Sequence, residues 1–291
     1  MRATEGFSAP ASVVGLPSSS GLTNLQNKLS TGRQITRPSD SPTGTVSALQ
    51  LRGELSRANQ YQSNGTDALG WLRTVDSALE AVCDQLQAIR SLVWQAMNIA
   101  SEDGASLEAL AQQVDQARSS LLSLANTAYL GRPVFGGTTA GSIAFDNTGA
   151  YVGDSGAVTR TVAANTIVTL NTDGPTVFGA NGSNVFDLLG SICDNLRRDP
   201  SALGANLTSL DNYQMSIASD RSLAGAKYNR IQAAQATAVT HVVALESQLS
   251  DVQDIDLADM AVQVSTANAV YQEALATTAQ IKQISLLDFL K

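Results

Sequence analysis

A long apolar stripe in the C-terminal part of the chain constrains the fold more than any other feature. Between residues 203 and 252, mostly apolar side chains recur at alternating spacings of three and four residues. This is the period of a coiled-coil seam, and it predicts one helix of roughly 75 Å at 1.5 Å per residue. Polar residues at Gln214, Arg221 and Gln235 weaken the stripe and can fix its register. Its predicted contribution to a helical core is Ile231, Val242 and Leu245.

Two shorter stripes with the same spacing lie in the N-terminal half, at residues 79–100 and 107–124. The polar segment 101–104, which contains a glycine, separates them. Two apolar stripes joined by a short polar turn are typical of an antiparallel helical hairpin. We expect this hairpin to supply the rest of the core through Leu86, Ile89, Val93, Leu110, Val114 and Leu121.

The middle of the chain has a different composition. Half of the 22 glycines lie between Gly131 and Gly190, whereas no glycine or proline follows Gly225. Proline breaks helices and glycine weakens them. Short segments rich in β-branched residues predict strands with tight turns at 142–145, 158–162 and 166–170. The sequence therefore predicts a mainly α protein in which a small β-rich domain is inserted into a long-helix antiparallel coiled-coil bundle.

Both ends of the chain are amphipathic. A stripe that starts at Met260 and includes Val264, Tyr271 and Ile281 leads into an apolar tail. Burying five large side chains of that tail would gain on the order of 10 kcal/mol, and ordering nine residues costs a similar amount. We therefore expect a tail that is disordered in the monomer and folds when copies assemble. The predicted assembly interface has three parts. They are Leu22, Leu25 and Leu29 near the N terminus, Val264, Tyr271 and Ile281 on the C-terminal stripe, and Ile284, Leu286, Leu287, Phe289 and Leu290 in the tail.

Charge and hydropathy argue against two classes of partner. The formal net charge is −8 and the pI about 4.6, so a nucleic-acid-binding surface is not expected. No run approaches the roughly 18 apolar residues of a membrane helix, and the first residues make a poor secretory signal. Membrane insertion is likewise not expected.

The sequence contains few residues that could form a catalytic or metal site. Ser155, in the segment 153–156, resembles a protease nucleophile, but that chemistry needs a histidine base, and the single histidine, His241, lies on a predicted helix. A polar turn is the favoured interpretation. The acidic segment 251–256 lacks the glycine and closing glutamate of a calcium loop, which favours a helix cap or kink. With one histidine and the distant Cys83 and Cys193, which are expected to stay unpaired, no zinc site or cofactor is predicted.

Several segments resemble the bacterial flagellar hook–filament junction proteins, which are hook-associated proteins related to flagellin. The most specific are the loop Arg37-Pro-Ser-Asp-Ser-Pro42 and the ending Ser285-Leu-Leu-Asp-Phe-Leu290. The resemblance also includes NKLSTGRQITRPSDSPTGTVSALQLR from Asn27, NGTDALGWL from Asn64, LANTAYLGRPVFGGT from Leu124 and LSDVQDIDLADMAVQVS from Leu249.

The resemblance implies a flagellin-like fold and a structural role without enzymatic activity. The terminal helices would pair to form the inner tube (residues 1–44 and 253–291), the helical bundle would comprise 45–130 and 184–252, and the β-rich outer domain 131–183. Implied partners are copies of the chain, a neighbouring hook-associated protein, flagellin, a cytosolic export chaperone and the flagellar export apparatus. The location would be extracellular, at the hook–filament junction, after type III export without a cleaved signal.

The sequence departs from the family pattern at two places. Pro10 and Pro17 fall where relatives have a mostly continuous N-terminal helix, and Gly65 lies inside a predicted helix where it could mark a loosening or a break. Three alternatives stay open from the residues: flagellin itself, a secreted serine hydrolase that uses Ser155, and a cytosolic coiled-coil adaptor.

Overall fold

The structure is a computed structural model, and it describes the backbone of residues 19–99 and 104–289. Side chains are described within these ranges except at 19, 20, 278 and 280–289. The chain divides into two units. We call residues 1–55 and 243–291 the terminal unit and residues 56–242 the middle unit. The interruption considered at Pro10 and Pro17 lies outside the described residues.

Seven α-helices and two short hairpins make up the described part of the chain. The helices are α1 (Ser19–Thr31), α2 (Pro42–Ile99), α3 (Gly104–Ala125), α4 (Gly174–Phe178), α5 (Val185–Arg198), α6 (Leu203–Gln253) and α7 (Leu257–Phe289). The strands are β1 (Ala128–Tyr129), β2 (Arg132–Pro133), β3 (Thr159–Ala163) and β4 (Thr166–Thr169). A 3-10 turn at Pro200–Ala202 precedes α6.

The long stripe is confirmed as one continuous helix. Helix α6 has 51 residues and ends one residue after the predicted stripe. Every member of the stripe from Leu203 to Val252 is buried or half-buried, including the three polar members. Since no proline or glycine follows Gly225, no helix-breaking residue interrupts the last seven turns of α6.

The middle unit has one large hydrophobic core. The stripe of α2 from Leu79 to Ala96 is completely buried, and α3 adds Leu107 to Leu121. Helix α5 packs against α3. Its first turn is fixed by a capping box, in which the Asn184 side chain accepts a hydrogen bond from Asp187 N and the Asp187 carboxylate accepts one from Asn184 N.

The β region is smaller than predicted. Strands β3 and β4 form an antiparallel pair with a bulge near Ala163, so these two predicted strands are confirmed. The strand predicted at 142–145 is wrong: only an isolated bridge joins Phe145 to Tyr151. The reason is that the Asn126 side chain forms hydrogen bonds with the backbone groups that a neighbouring strand would otherwise bind. Its Oδ1 accepts from Ala144 N at 2.7 Å and Phe145 N at 2.9 Å, and its Nδ2 donates to Phe145 O at 2.9 Å.

A cluster of phenylalanines fills the core of this β-containing region. Phe145 lies 5.2 Å from Phe178 and 5.4 Å from Phe186 between ring centroids, and Phe135 lies 5.2 Å from Phe178. All four rings are buried. In a chain that is 5% aromatic, these four are most of the six phenylalanines. The rings come from separate loops and helices, so no local spacing indicates that they meet.

Candidate assembly surface

The two terminal helices pack together in the terminal unit, as the fold prediction required. Helix α1 lies against α7, and Leu22 and Leu25 share a groove of about 450 Å³ with Ala267 and Tyr271. The apolar spacing of three and four residues on each helix places these side chains on the facing sides. The structure thus brings together three of the predicted interface residues: Leu22, Leu25 and Tyr271.

The other predicted interface residues are partly accounted for. Leu29 and Val264 are half-buried. The side chains of Ile281, Ile284, Leu286, Leu287 and Phe289, and the whole of Leu290, lie outside the described residues. The backbone of α7 is helical to Phe289, which differs from the disorder expected for the monomer's tail. The absence of glycine and proline after Gly225 explains why the helix continues.

The loop between α1 and α2 forms backbone hydrogen bonds with the junction of α6 and α7. Arg33 and Asp254 form an antiparallel bridge. Gln34 N donates to Gln253 O at 2.7 Å, and Ile255 N donates to Gly32 O at 3.1 Å. Gly32 has a φ of 69°, which glycine adopts without strain. The N-terminal and C-terminal parts of the terminal unit are therefore joined by backbone hydrogen bonds as well as by helix packing.

Asp40 organises the Arg37–Pro42 segment, the most specific family signature in the sequence. Its Oδ2 accepts hydrogen bonds from Arg37 N at 2.8 Å, Thr36 Oγ1 at 2.9 Å and Thr36 N at 3.0 Å. These hydrogen bonds hold the pKa of the Asp40 carboxyl below its usual value, and the one from Arg37 N has the largest effect. Ser41 then caps α2, because its Oγ accepts from Gly44 N at 3.1 Å.

The acidic segment 251–256 is a helix boundary. Helix α6 ends at Gln253, and Asp256 Oδ1 accepts from Ala258 N at 2.9 Å and Asp259 N at 3.3 Å at the start of α7. The prediction of a helix cap is confirmed. In the part of the chain that the structure describes, no group of three or more acidic, histidine or cysteine residues is placed to hold a metal ion.

Apolar side chains of α7 also face solvent. Val262 and Leu257 are 64% and 63% exposed, and Val270 and Leu275 are 45% and 50% exposed. On α2, Val46 and Leu49 are similarly exposed. The sequence prediction missed these residues because it followed a single stripe, and a second apolar face has no regular spacing of its own. The sequence feature that indicates these exposed residues is the high apolar content of α7 outside the stripe.

The predicted bundle-core residues are distributed over both units. Leu86, Ile89, Val93, Leu110, Val114, Leu121 and Ile231 belong to the core of the middle unit. Val242 is only half-buried and is the last residue of that unit. Leu245 is buried, but it belongs to the terminal unit. The physical reason is that α6 runs through both units, so one stripe serves two separate packing environments.

The residues considered for chemistry have structural surroundings. Ser155 is exposed in a loop in which Asp154 Oδ1 accepts from Thr138 N at 2.6 Å and Gly156 N at 2.9 Å. His241 is exposed on α6. Cys83 and Cys193 are unpaired, and the buried Cys193 thiol lies 3.2 Å from Asp115 Oδ1. Burial and the nearby Asp115 carboxylate raise the pKa of the Cys193 thiol to about 12, and burial has the larger effect.

None of the described helices combines the length and the apolar character that a membrane crossing demands.

Two protein-family models match the chain at the segments that form the helices. The bacterial flagellin N-terminal helical region matches residues 15–140, and the bacterial flagellin C-terminal helical region matches residues 207–290. The chain belongs to the flagellin family. These two matches include α1, the Arg37–Pro42 loop and all of α7. The segment between the two matches contains β3, β4 and α5.

Relatives within the flagellin family include hook-associated proteins and flagellins. The chain is 24% identical to flagellar hook-associated protein 3 of Escherichia coli, over 81% of this chain and 84% of the relative. It is 26% identical to a flagellin of Bacillus subtilis, over 88% of each chain. A solved structure from Vibrio parahaemolyticus, described as a flagellar hook-associated protein, superposes with a TM-score of 0.68 at 21% identity and covers 74% of this chain and 100% of that one. The family's relatives are thus structural flagellar proteins.

Proposed function

We propose that the chain is a structural subunit of the flagellar hook–filament junction, and that it assembles with copies of itself through α1 and α7. The hook-associated protein 3 of Escherichia coli and the Vibrio structure support a junction subunit. The neighbours in the flagellum would be another hook-associated protein on one side and flagellin on the other. The role requires no catalytic residue, no cofactor and no metal.

The observation that carries the proposal is the apolar surface on several sides of α7. One side contacts α1 through Ala267 and Tyr271. Val262, Val270 and Leu275 are separated by eight and five residues, which at 3.6 residues per turn places them roughly 80° and 140° apart around the helix. A helix that is apolar all round is normally buried. Covering these side chains needs neighbours on more than one side, which a tubular assembly of copies provides.

The proposed interface comprises the residues that the sequence indicated together with the exposed residues of α7. Its tail residues from Ile284 to Leu290 would pack against neighbouring copies. Their gross burial gain is on the order of 10 kcal/mol per subunit. The proposed bundle core is the set from Leu86 to Ile231 in the middle unit, which would give each subunit a rigid body.

Delivery to the junction is part of the proposal. The chain would bind a cytosolic chaperone, pass unfolded through the flagellar type III export apparatus without a cleaved signal, and end outside the cell at the hook–filament junction. Export-deficient flagellar strains should retain the protein in the cytosol, and immunogold labelling of intact cells should mark the base of the filament.

An assembly assay with matched variants tests the interface. Leu275→Ser removes an exposed apolar side chain from α7, whereas Gln272→Ser alters an exposed polar neighbour on the same helix. We expect Leu275→Ser, and deletion of residues 284–291, to raise the protein concentration needed for assembly, measured by sedimentation and electron microscopy. Gln272→Ser should assemble normally. Equal assembly by all of these proteins, with unchanged circular dichroism, would refute the interface.

Flagellin is a second candidate because the Bacillus subtilis flagellin matches along most of both chains. Electron microscopy of a deletion strain separates the two functions. A junction subunit leaves hooks without filaments and flagellin shed into the medium. If the chain is flagellin, its loss leaves no other filament protein to be shed, and the purified protein forms long filaments rather than short rings or caps.

A further inference from the structure

Charged residues of the terminal unit are segregated along the chain. Residues 6–53 contain four basic side chains and one acidic side chain, whereas residues 243–281 contain six acidic side chains and no lysine or arginine. Since α1 packs on α7 and the loop after α1 is bridged to the start of α7, both stretches belong to one unit. The basic residues are Lys28, Arg33, Arg37 and Arg52, and the acidic ones are Glu246, Asp251, Asp254, Asp256, Asp259 and Glu273.

These opposite charges do not neutralise each other within the subunit. Among the described residues, every ion pair joins residues of the middle unit, for example Arg90 with Asp211 and Arg160 with Asp67. Asp40, the one acid in the basic stretch, is occupied by the loop donors of Thr36 and Arg37. Intramolecular ion pairing therefore does not account for the segregation of charge in the terminal unit.

Three of the four basic residues line one groove. Arg33, Arg37 and Arg52 line a cavity of about 230 Å³ together with Ile35 and the exposed Leu49. Arg52 Nη2 also donates to the buried Gln253 Oε1 at 2.5 Å, which fixes that guanidinium at the wall. A groove with an apolar wall and guanidinium groups at its edges suits a segment that combines an apolar side chain with carboxylates.

The acidic stretch has this composition. Leu257 is 63% exposed and lies between Asp256 and Asp259. Asp251 is exposed in the last turn of α6, where a negative charge opposes the helix dipole and destabilises the helix. The dipole of α6 is therefore not stabilised by a carboxylate at this position.

We infer that the groove around Arg33, Arg37 and Arg52 receives the exposed side chains of the acidic segment 246–259 of a second copy of the chain. The inference rests on the proposed function, because it requires copies that assemble. A basic surface that meets a different, acidic surface makes a head-to-tail contact, and such contacts generate rings or helical assemblies rather than closed dimers. The contact would set the order and the orientation of neighbouring subunits, while apolar burial along α7 supplies most of the affinity.

Charge reversal tests the contact. Arg37→Glu and Asp251→Arg each place like charges across the proposed contact, and the double variant restores opposite charges in exchanged positions. Arg230→Glu is the matched control, because Arg230 is exposed on α6 in the middle unit and the charge change is the same. The measurement is the protein concentration at which the full chain assembles, by sedimentation at about 0.1 M and about 1 M salt.

We expect each single variant to raise this concentration about tenfold at low salt, the double variant to restore it, and the control to leave it unchanged. The difference should vanish at about 1 M salt, where screening acts within about 3 Å. If the wild type assembles but Arg37→Glu behaves as Arg230→Glu does, or the double variant fails to recover, the contact is wrong and the proposed function stands. Loss of binding to flagellin with normal self-assembly would also overturn it in favour of another partner. Absence of wild-type assembly contradicts the proposed function itself.

Discussion

Gln235 packs directly onto Gly65, where α6 and α2 approach each other in the middle unit. A Cβ atom on Gly65 would lie 2.9 Å from Gln235 Cγ. The Gln235 Nε2 donates to Thr66 Oγ1 at 2.8 Å and to Gln62 O at 3.3 Å. Helix α2 continues through this point, so Gly65 marks neither a break nor a loosening. The glycine makes room for the polar seam residue that joins the two helices.

We predict that the sign of Gly65→Ala depends on residue 235. In the wild type the new methyl group collides with Gln235, and we expect a loss of about 1 kcal/mol in the free energy of unfolding. In a Gln235→Ala background the clash is gone, and the helix propensity of alanine should give a gain of about 1 kcal/mol. Urea denaturation of the four proteins of the double-mutant cycle measures both values. Additive effects would show that the two residues are not coupled.

Leu86 and Leu223 form a second matched pair of predictions. Leu86 is completely buried in the core of the middle unit, whereas Leu223 is 59% exposed on α6. Leu86→Ala should cost about 2–5 kcal/mol through lost burial and a cavity. Leu223→Ala should change the free energy of unfolding by less than about 0.5 kcal/mol. Thermal and urea unfolding followed by circular dichroism compares them, and similar losses for both would contradict the assignment of the core.

The Asp40 carboxylate should control the order of the loop after α1. Its pKa lies below the ordinary 3.8 because Arg37 N and Thr36 donate to it. A lowered pKa means that its stabilisation is complete above the unfolded-state value and is lost as the pH falls through the folded-state value. We expect the amide signals of Thr36 and Arg37 in NMR spectra to titrate with a midpoint below 3.8. In Asp40→Ala these amides should exchange faster with solvent, while those of α3 stay unchanged as the control.

The two cysteines should differ in reactivity. Cys83 is half-buried, whereas Cys193 is buried with a pKa raised to about 12 by burial and by Asp115. Since the thiolate is the reactive form, iodoacetamide at pH 8 should modify Cys83 at least about tenfold faster than Cys193 in the folded protein. Mass spectrometry of digested samples measures both rates. In denaturant the two rates should converge, and convergence already in the native protein would show that Cys193 is accessible.

The sequence indicated the helices that carry a regular apolar stripe, since the signal of such a stripe is local. A spacing of three and four residues together with the absence of proline and glycine is sufficient to place α6 and the two stripes from Leu79 to Leu121, because each turn depends on its own neighbours. The same local logic identified the helix cap at Asp256 and strands β3 and β4. The pairing of α1 with α7 followed because both carried an apolar stripe.

Tertiary structure alone decided which surfaces those stripes meet. Asn126 bonds the backbone of residues 144 and 145 from a position far along the chain, so a segment with strand-like composition forms no strand. The phenylalanines around Phe178 gather from separate segments. One stripe on α6 divides between two packing units, which places Leu245 apart from Ile231. The exposed apolar side chains of α7 likewise depend on which side α1 occupies. Such contacts depend on the positions of whole elements in space. The spacing of residues along a single helix does not specify which other elements that helix contacts.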